Sequence, residues 1–305
     1  MGQGATKEKR NMAILFVVFN PAQTKRILMN YLYVRNLLES QGFPVFTLEL
    51  VYEGRTPEIH DAFHVTTSSF LFHKENLYRI LETKVPAYYK KLAFLDADVF
   101  FKDTTWYEKA RKLLKTHDVV QPFERAHWLD LTYKKTTLTR KGIATDEKEG
   151  WNFSFHPGFA WCMRRDWYRK VGFFDYAVSG SGDTLSTAAW LNKTFPKNFQ
   201  SLPGPLVAKY TEYKKHPCPR ITYLKDMDIY HLYHGSRTNR QYAERHKMLN
   251  LKGDIGDYLE TNEEGVWEWK DKAKWNPLYL DYFKKRDDDD LSEESNPTAK
   301  RSFTS

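Results

Sequence analysis

"KKLAFLDADVFFK", residues 90–102, is an apolar run that reads as a buried strand and ends in two carboxylates, Asp96 and Asp98. On a strand, the i and i+2 spacing points both side chains to one face, at the edge where open parallel sheets bind ligands. Burying an ionised carboxylate without a partner is prohibitively costly, so two side by side require a cation, a proton or water. One divalent cation could bridge Asp96 and Asp98, and hard oxygen ligands favour magnesium or manganese, ions that keep further positions for substrate phosphates. The competing role is a strand end whose acids cap a helix or pair with Lys, and Asp-x-Asp alone is a weak signal. The apolar residues on both sides strengthen the functional reading.

Working outward, "AILFVVF", residues 13–19, reads as a central parallel strand, apolar on both faces and closed by the turn signal Asn20-Pro21. Ile27, Tyr31, Val34 and Leu38 recur at helical spacing, and Gly42 stands where a helix C-cap belongs. "PVFTLELVY", residues 44–52, alternates Phe46, Leu48 and Leu50 with Thr47 and Glu49, as a strand does. Leu77, Ile80 and Leu81 form a helical stripe that stops before Pro86. Strand, helix, strand, helix, strand predicts an α/β fold with a Rossmann-like parallel sheet.

Residues 124–150 lack any sustained period and are rich in Thr and Lys, which predicts a mobile excursion or lid. Beyond it, "GFAWCM" predicts a strand, Asp166 to Lys170 a short helix, and the segment after Gly182 another helix. "SRTNRQYAERHKML", from Ser236, predicts a basic helix with Ser236 as N-cap. The expected layout is a flexible arm over 1–11 and one domain over 12–284, with a nucleotide-binding half (12–103) and an acceptor-binding half (104–284). A disordered acidic tail is expected over 285–305.

The chain's 305 residues suffice for one large α/β domain with a real core. Aromatics at 16% suggest that some rings line a cleft as well as filling a core. The run over 13–19 is too short to cross a bilayer and no signal-peptide pattern precedes it, so a cytoplasmic location is expected. Cys162 and Cys218 are the only cysteines, which argues against a disulfide framework and a Cys-based zinc site. Net charge is +8, but residues 287–305 carry four Asp and two Glu against Lys300 and Arg301, a net of −4 that leaves the remainder at +12. Such a body favours anionic partners, although solvated lysines explain most of the excess. With no basic-aromatic platform, zinc pattern or recognition helix, a nucleic-acid partner is not expected. "MGQGAT" fits the myristoylation pattern at Gly2, which would give weak membrane association; a disordered arm is the competing reading.

Three segments in order carry a family resemblance. "FHKENLYRILETKVPAYYKKLAFLDADVFF" resembles the stretch leading into the Asp-x-Asp motif of GT-A-fold glycosyltransferases of the family 2 type. "HPGFAWCMRRDWYRKVGFFDYAVSGSGDT", residues 156–184, resembles their acceptor-side strand, glycine turn and acid, and "HLYHGSRTNRQYAERHKML", residues 231–249, resembles their closing histidine and basic helix. The likeness spans roughly residues 13 to 250, the extent of one such domain.

The resemblance implies a GT-A fold whose acceptor half carries a smaller mixed sheet. It also implies a transferase that uses Mn2+ or Mg2+ and moves a sugar from a nucleotide diphosphate, UDP foremost, to a hydroxyl of a glycan, glycoprotein or lipid. By position in the motif, Asp98 would bind the cation and Asp96 would reach the ribose or a metal-bound water. The third ligand would be His234, with His231 second and a hydrogen-bonded core histidine as the competing role. Asp183 in "GSGDT" would be the general base, with inversion at the anomeric centre, or an N-cap, the two roles being compatible. Gly180 and Gly182 would let the backbone approach a ligand. Asn20 and Lys74 would contact the donor, although Arg79 stands where these relatives have Asn. Trp151 and Trp161 are candidates for stacking on a sugar, against a core role, and Arg237, Arg240 and Arg245 for approaching phosphates, against solvated exposure. Two rivals share the acidic strand end. A sugar-nucleotide pyrophosphorylase needs a glycine-rich loop where this chain has "NPAQTKR", and a haloacid-dehalogenase-type phosphatase does not place Phe100 and Phe101 after the pair.

Overall fold

The computed structural model describes residues 11–291 apart from 198, 200, 237, 242 and 243. The expectations for Gly2, for the arm up to residue 10, for Arg237 and for the chain from 292 onward lie outside the described residues.

β1 (Met12–Phe19) is a run of apolar residues that can be buried on both faces only within a sheet. Met12, Ile14, Phe16 and Val18 enter one core with Tyr31, Val34 and Leu38 of α1 (Lys25–Ser40). Ala13, Leu15 and Val17 enter the opposite core with Leu77, Ile80 and Leu81 of α2 (Lys74–Lys84). Each fully buried side chain of this kind contributes on the order of 1.5–3 kcal/mol. α1 stops as expected: Gly42 has φ +73°, its N–H donates to Glu39 O at 2.8 Å, and Phe43 N–H donates to Leu38 O at 3.1 Å.

β2 (Val45–Tyr52) and β3 (Phe63–Thr67) extend the sheet on one side of β1 and β4 (Lys91–Leu95) on the other, all parallel. β3 was not legible in the sequence, because "FHVTT" carries neither an apolar run nor a turn signal. In β2, Thr47 and Glu49 are buried like their apolar neighbours. Thr47 Oγ1 accepts the Tyr31 hydroxyl at 2.9 Å, and the Glu49 carboxylate accepts the N–H groups of Glu58 at 2.7 Å and Ile59 at 2.9 Å.

Downstream lie β5 (Val99–Phe100), α3 (Trp106–Leu113), β6 (Val119–Gln121), β7 (Arg125–Leu129), β8 (Thr136–Lys141), β9 (Ala160–Arg164), α4 (Arg165–Lys170), α5 (Gly182–Trp190), α6 (Val207–Tyr213), β10 (Ile221–Tyr223), β11 (Asp228–His231), β12 (Leu259–Thr261), β13 (Trp267–Trp269) and α7 (Lys272–Lys285). The main sheet has the order β10-β6-β9-β4-β1-β2-β3, with β9 antiparallel to both its neighbours. A smaller mixed sheet has the order β5-β11-β7-β8. The architecture is α/β as expected, a mostly parallel sheet flanked by helices and joined to a smaller mixed sheet.

Three expectations are corrected. The segment 124–150 is not an unstructured excursion: β7 and β8 pair antiparallel, and the Thr-rich run that hid any period is the edge strand β8. The basic helix expected from Ser236 is replaced by two 3-10 turns, Thr238–Arg240 and Glu244–Met248. The acidic tail does not start at 285. Residues 286–290 fold back on the domain, with Asp288 only 2% exposed, because His234 and Arg286 supply partners for its charge. Among the described residues no helix is long and apolar enough to cross a membrane, and both cysteines are free.

Candidate active site

β4 ends at Leu95, so Asp96 and Asp98 lie in the turn that leads into β5 rather than on a strand. The expected common face is therefore lost, and each carboxylate takes its own partners. Lys74 Nζ donates to Asp96 Oδ1 at 3.2 Å. Asp98 turns toward β11, because β5 pairs antiparallel with β11 (Val99 opposite His231) and Leu232 N–H donates to Asp98 O at 2.8 Å.

That pairing assembles Asp98, His231 and His234. Asp98 Oδ2 lies 2.8 Å from His234 Nε2 and 3.6 Å from His231 Nε2, and the two Nε2 atoms are 3.1 Å apart. Asp98 Oδ1 is buried with no hydrogen-bond partner among the described residues. Burial opposes the charge of Asp98, but the two imidazoles hold its carboxyl well below the usual range. Burial pushes His231 down to about 4, so its ring is neutral, the ligating form. Phe159, in the left-handed region at φ +74°, stacks on His231 at 4.9 Å and fixes that ring. An orphaned carboxylate oxygen beside two converging ring nitrogens fits a divalent cation, and the imidazoles favour manganese over magnesium.

The second half of the site is built around Lys74, the first residue of α2. Its ammonium lies 3.2 Å from Asp96 and 3.9 Å from both Asp183 and Glu75. Burial disfavours the ammonium, but the surrounding carboxylates outweigh burial and hold its pKa well above the usual range. Asp183 is the second residue of α5, behind the left-handed Ser181, and its Oδ1 accepts Thr184 N–H at 2.7 Å. Burial raises its carboxyl, yet Lys74, then His156 and the Thr184 N–H bring it below the usual range, so it is ionised. Lys74, Asp96, Gly158, Trp161, Phe173 and Asp183 line one recess. A Cβ on Gly158 would sit 2.4 Å from Asp183 Oδ2, so glycine is what opens the recess to that oxygen.

Several expected groups lie elsewhere or are committed. The Asn20 side chain closes its own loop, accepting Thr24 N–H at 2.9 Å and donating to Thr24 O at 2.9 Å. The missing Cβ atoms of Gly180 and Gly182 make room for the Arg245 guanidinium and the Glu75 carboxylate, and no ligand is needed to explain them. Arg79 pairs with Asp175 at 3.0 Å. Trp161 packs edge-on against Trp190, and Trp151 against Phe195 and Phe199. Arg240 Nη2 lies 2.5 Å from His234 Nε2 and 3.0 Å from its Nδ1, so this guanidinium sits against the candidate metal ligand, and Arg245 is buried and donates to Ser181 Oγ at 2.9 Å.

Glu75, His156 and Asp288 were not singled out in the sequence. Glu75 is buried and its pKa is pushed up to about 7 by burial. His156 Nε2 is buried without a hydrogen-bond partner among the described residues, and burial pushes this ring down to about 3. Only the adjacency of Glu75 to Lys74 was a usable signal.

Neither a family model nor a curated protein matches the chain. Among solved structures it is similar to a Pyrobaculum calidifontis mannosyltransferase in complex with GDP-Man and Mn2+, at 12% identity and TM-score 0.44, covering 90% of this chain and 73% of that one. It is similar to a mutant of Drosophila β1,4-galactosyltransferase 7 in complex with manganese, UDP-Gal and xylobiose, at 10% identity and TM-score 0.41, covering 88% of this chain and 98% of that one. It is also similar to glucosyl-3-phosphoglycerate synthase from Mycobacterium tuberculosis in complex with Mn2+, UDP and phosphoglyceric acid, at 14% identity and TM-score 0.37, covering 70% of this chain and 81% of that one.

Proposed function

We propose that this chain is a metal-dependent glycosyltransferase that moves a sugar from a nucleotide diphosphate, UDP foremost, to an acceptor hydroxyl with inversion at the anomeric carbon. The observation that carries the reading is the unpaired Asp98 Oδ1 beside the two imidazole nitrogens, with the ionised Asp183 linked to the same turn through Lys74. Asp98, His231 and His234 would hold a divalent cation, which would supply positive charge for a departing diphosphate. Lys74 keeps Asp183 ionised and holds Asp96 beside it, and Asp96 faces the donor ribose. Asp183 Oδ2 takes the acceptor hydroxyl proton as the hydroxyl oxygen bonds to the anomeric carbon and the bond to the diphosphate oxygen breaks with its electron pair. Asn20 shapes the loop on which the donor rests. The reading takes a glycan, glycoprotein or lipid as acceptor and keeps a cytoplasmic location, which the two unpaired cysteines support.

Screening nucleotide sugars for manganese-dependent donor hydrolysis tests the proposal. Hydrolysis of one donor that stops on chelation is the expected result. If no donor is hydrolysed while p-nitrophenyl phosphate is cleaved, the chain is a phosphatase and the reading falls.

A further inference from the structure

We infer that the acidic segment after α7 is part of the metal centre, with Asp288 the positioning residue that holds His234 in its ligating form. The inference rests on the metal trio of the proposed function. Asp288 lies 54 residues beyond His234, yet its Oδ1 is 2.9 Å from His234 Nδ1, the ring nitrogen turned away from Asp98; Arg240 Nη2, 3.0 Å from Nδ1 and 2.5 Å from Nε2, is a donor only and cannot take the Nδ1 proton, which leaves Asp288 as its acceptor. The contact is built. Asp288 is 2% exposed and also accepts Arg286 Nη2 at 3.1 Å. Gly235, at φ +78°, lets the chain come this close, since a Cβ there would stand 2.5 Å from Asp287 O. Next along, both carboxylate oxygens of Asp289 cap α1, accepting the N–H groups of Lys25 at 2.9 Å and Arg26 at 2.7 Å. The strap thus ties the helix after β1 to the back of the candidate metal ligands.

The chemistry is specific. A carboxylate that accepts the Nδ1 proton fixes the tautomer whose Nε2 lone pair is free, and makes that nitrogen a stronger ligand. Losing such a partner weakens metal binding by about 10–100-fold. Solvated acids in a tail would have no such effect.

The test is Mn2+ affinity, by titration calorimetry and by the paramagnetic resonance of free Mn2+, on the full chain and on Asp288→Ala, Asp288→Asn and Asp289→Asn. Asp288→Ala should bind Mn2+ about 10–100-fold more weakly. Asp288→Asn, nearly isosteric and still able to accept the Nδ1 proton, should lose less and should alter the visible spectrum of the Co2+-loaded protein. Asp289→Asn, which weakens a cap but leaves the His234 contact, should lose far less affinity than Asp288→Ala, and thermal unfolding without metal checks that each variant is folded. Parental affinity in both Asp288 variants overturns the inference, as does a parent chain that binds no Mn2+. A parent whose Mn2+ binding depends on Asp288 but which hydrolyses no nucleotide sugar leaves the inference standing and removes the glycosyltransferase reading.

Discussion

Asp96 and Asp98 stand two residues apart and face different partners: Asp96 Oδ1 meets Lys74 Nζ at 3.2 Å, and Asp98 Oδ2 meets His234 Nε2 at 2.8 Å. One turn thus serves two chemistries, a cation site on one side and a lysine-centred acid network on the other.

The first prediction separates them. Asp98→Asn should abolish measurable Mn2+ binding and, with it, metal-dependent UDP binding, whereas Asp96→Asn should retain Mn2+ binding. Calorimetric titration of both variants decides the matter, and equal losses would contradict the division.

Asp183→Asn should lower turnover by about 10²–10⁴-fold while leaving donor and metal binding near parental values. The Asp183 pKa lies below the usual carboxylate value of 3.8, so the base is already ionised in mildly acid solution. Its loss of activity by protonation therefore falls below that pH, and the rate should show no acid limb from this group between about pH 5 and 8. Rate against pH on the parent chain checks this.

Gly158→Ala should cost turnover more than stability, because its Cβ would meet Asp183 Oδ2 at 2.4 Å inside the recess. Gly182→Ala should do the reverse, since its Cβ would meet the buried Glu75 carboxylate at 2.3–2.7 Å, an overpacking that costs about 1–3 kcal/mol. Denaturant midpoints beside initial rates distinguish the two.

Glu75 makes stability depend on pH. Its folded pKa, about 7, lies above its ordinary value of 4.5, so the folded state holds the proton more tightly. Stability from this group is complete below 4.5 and falls as pH rises toward 7, at about 1.4 kcal/mol per unit. Glu75→Gln should therefore gain on the parent between pH 5 and 8 in urea unfolding. A constant difference between variant and parent at both pH values would refute this assignment.

Arg165 offers a stability test remote from the metal trio. It is 4% exposed, pairs with Glu82, and donates to the carbonyls of Glu82 at 2.6 Å, Val85 at 2.8 Å and Pro86 at 2.7 Å, which closes the end of α2. Arg165→Ala should destabilise by about 1–3 kcal/mol, because the carbonyls that close α2 lose their donor and Glu82 keeps only Arg169, at 2.8 Å, with Mn2+ affinity retained in the folded fraction. Chemical denaturation together with Mn2+ titration measures both.

Elements with strong local patterns were legible. The apolar run of β1, the stripe of α1 with Gly42 after it, and the stop of α2 before Pro86 all follow from neighbours in the chain. Strand β3, the Thr-rich β8 and the strap at 286–290 were not, because polar composition there conceals pairing with distant segments.

From residue order alone come the parallel core and the position of two acids at its edge, since periodicity and burial cost are local properties of the chain. Which nitrogen or ammonium each acid meets is a different matter. It depends on β5 lying beside β11 and on α7 returning the chain to the back of His234, contacts across more than fifty residues that no local pattern encodes. Asp98 was a metal-ligand candidate from its motif, but its open oxygen and the two imidazoles beside it exist only where those segments close around it.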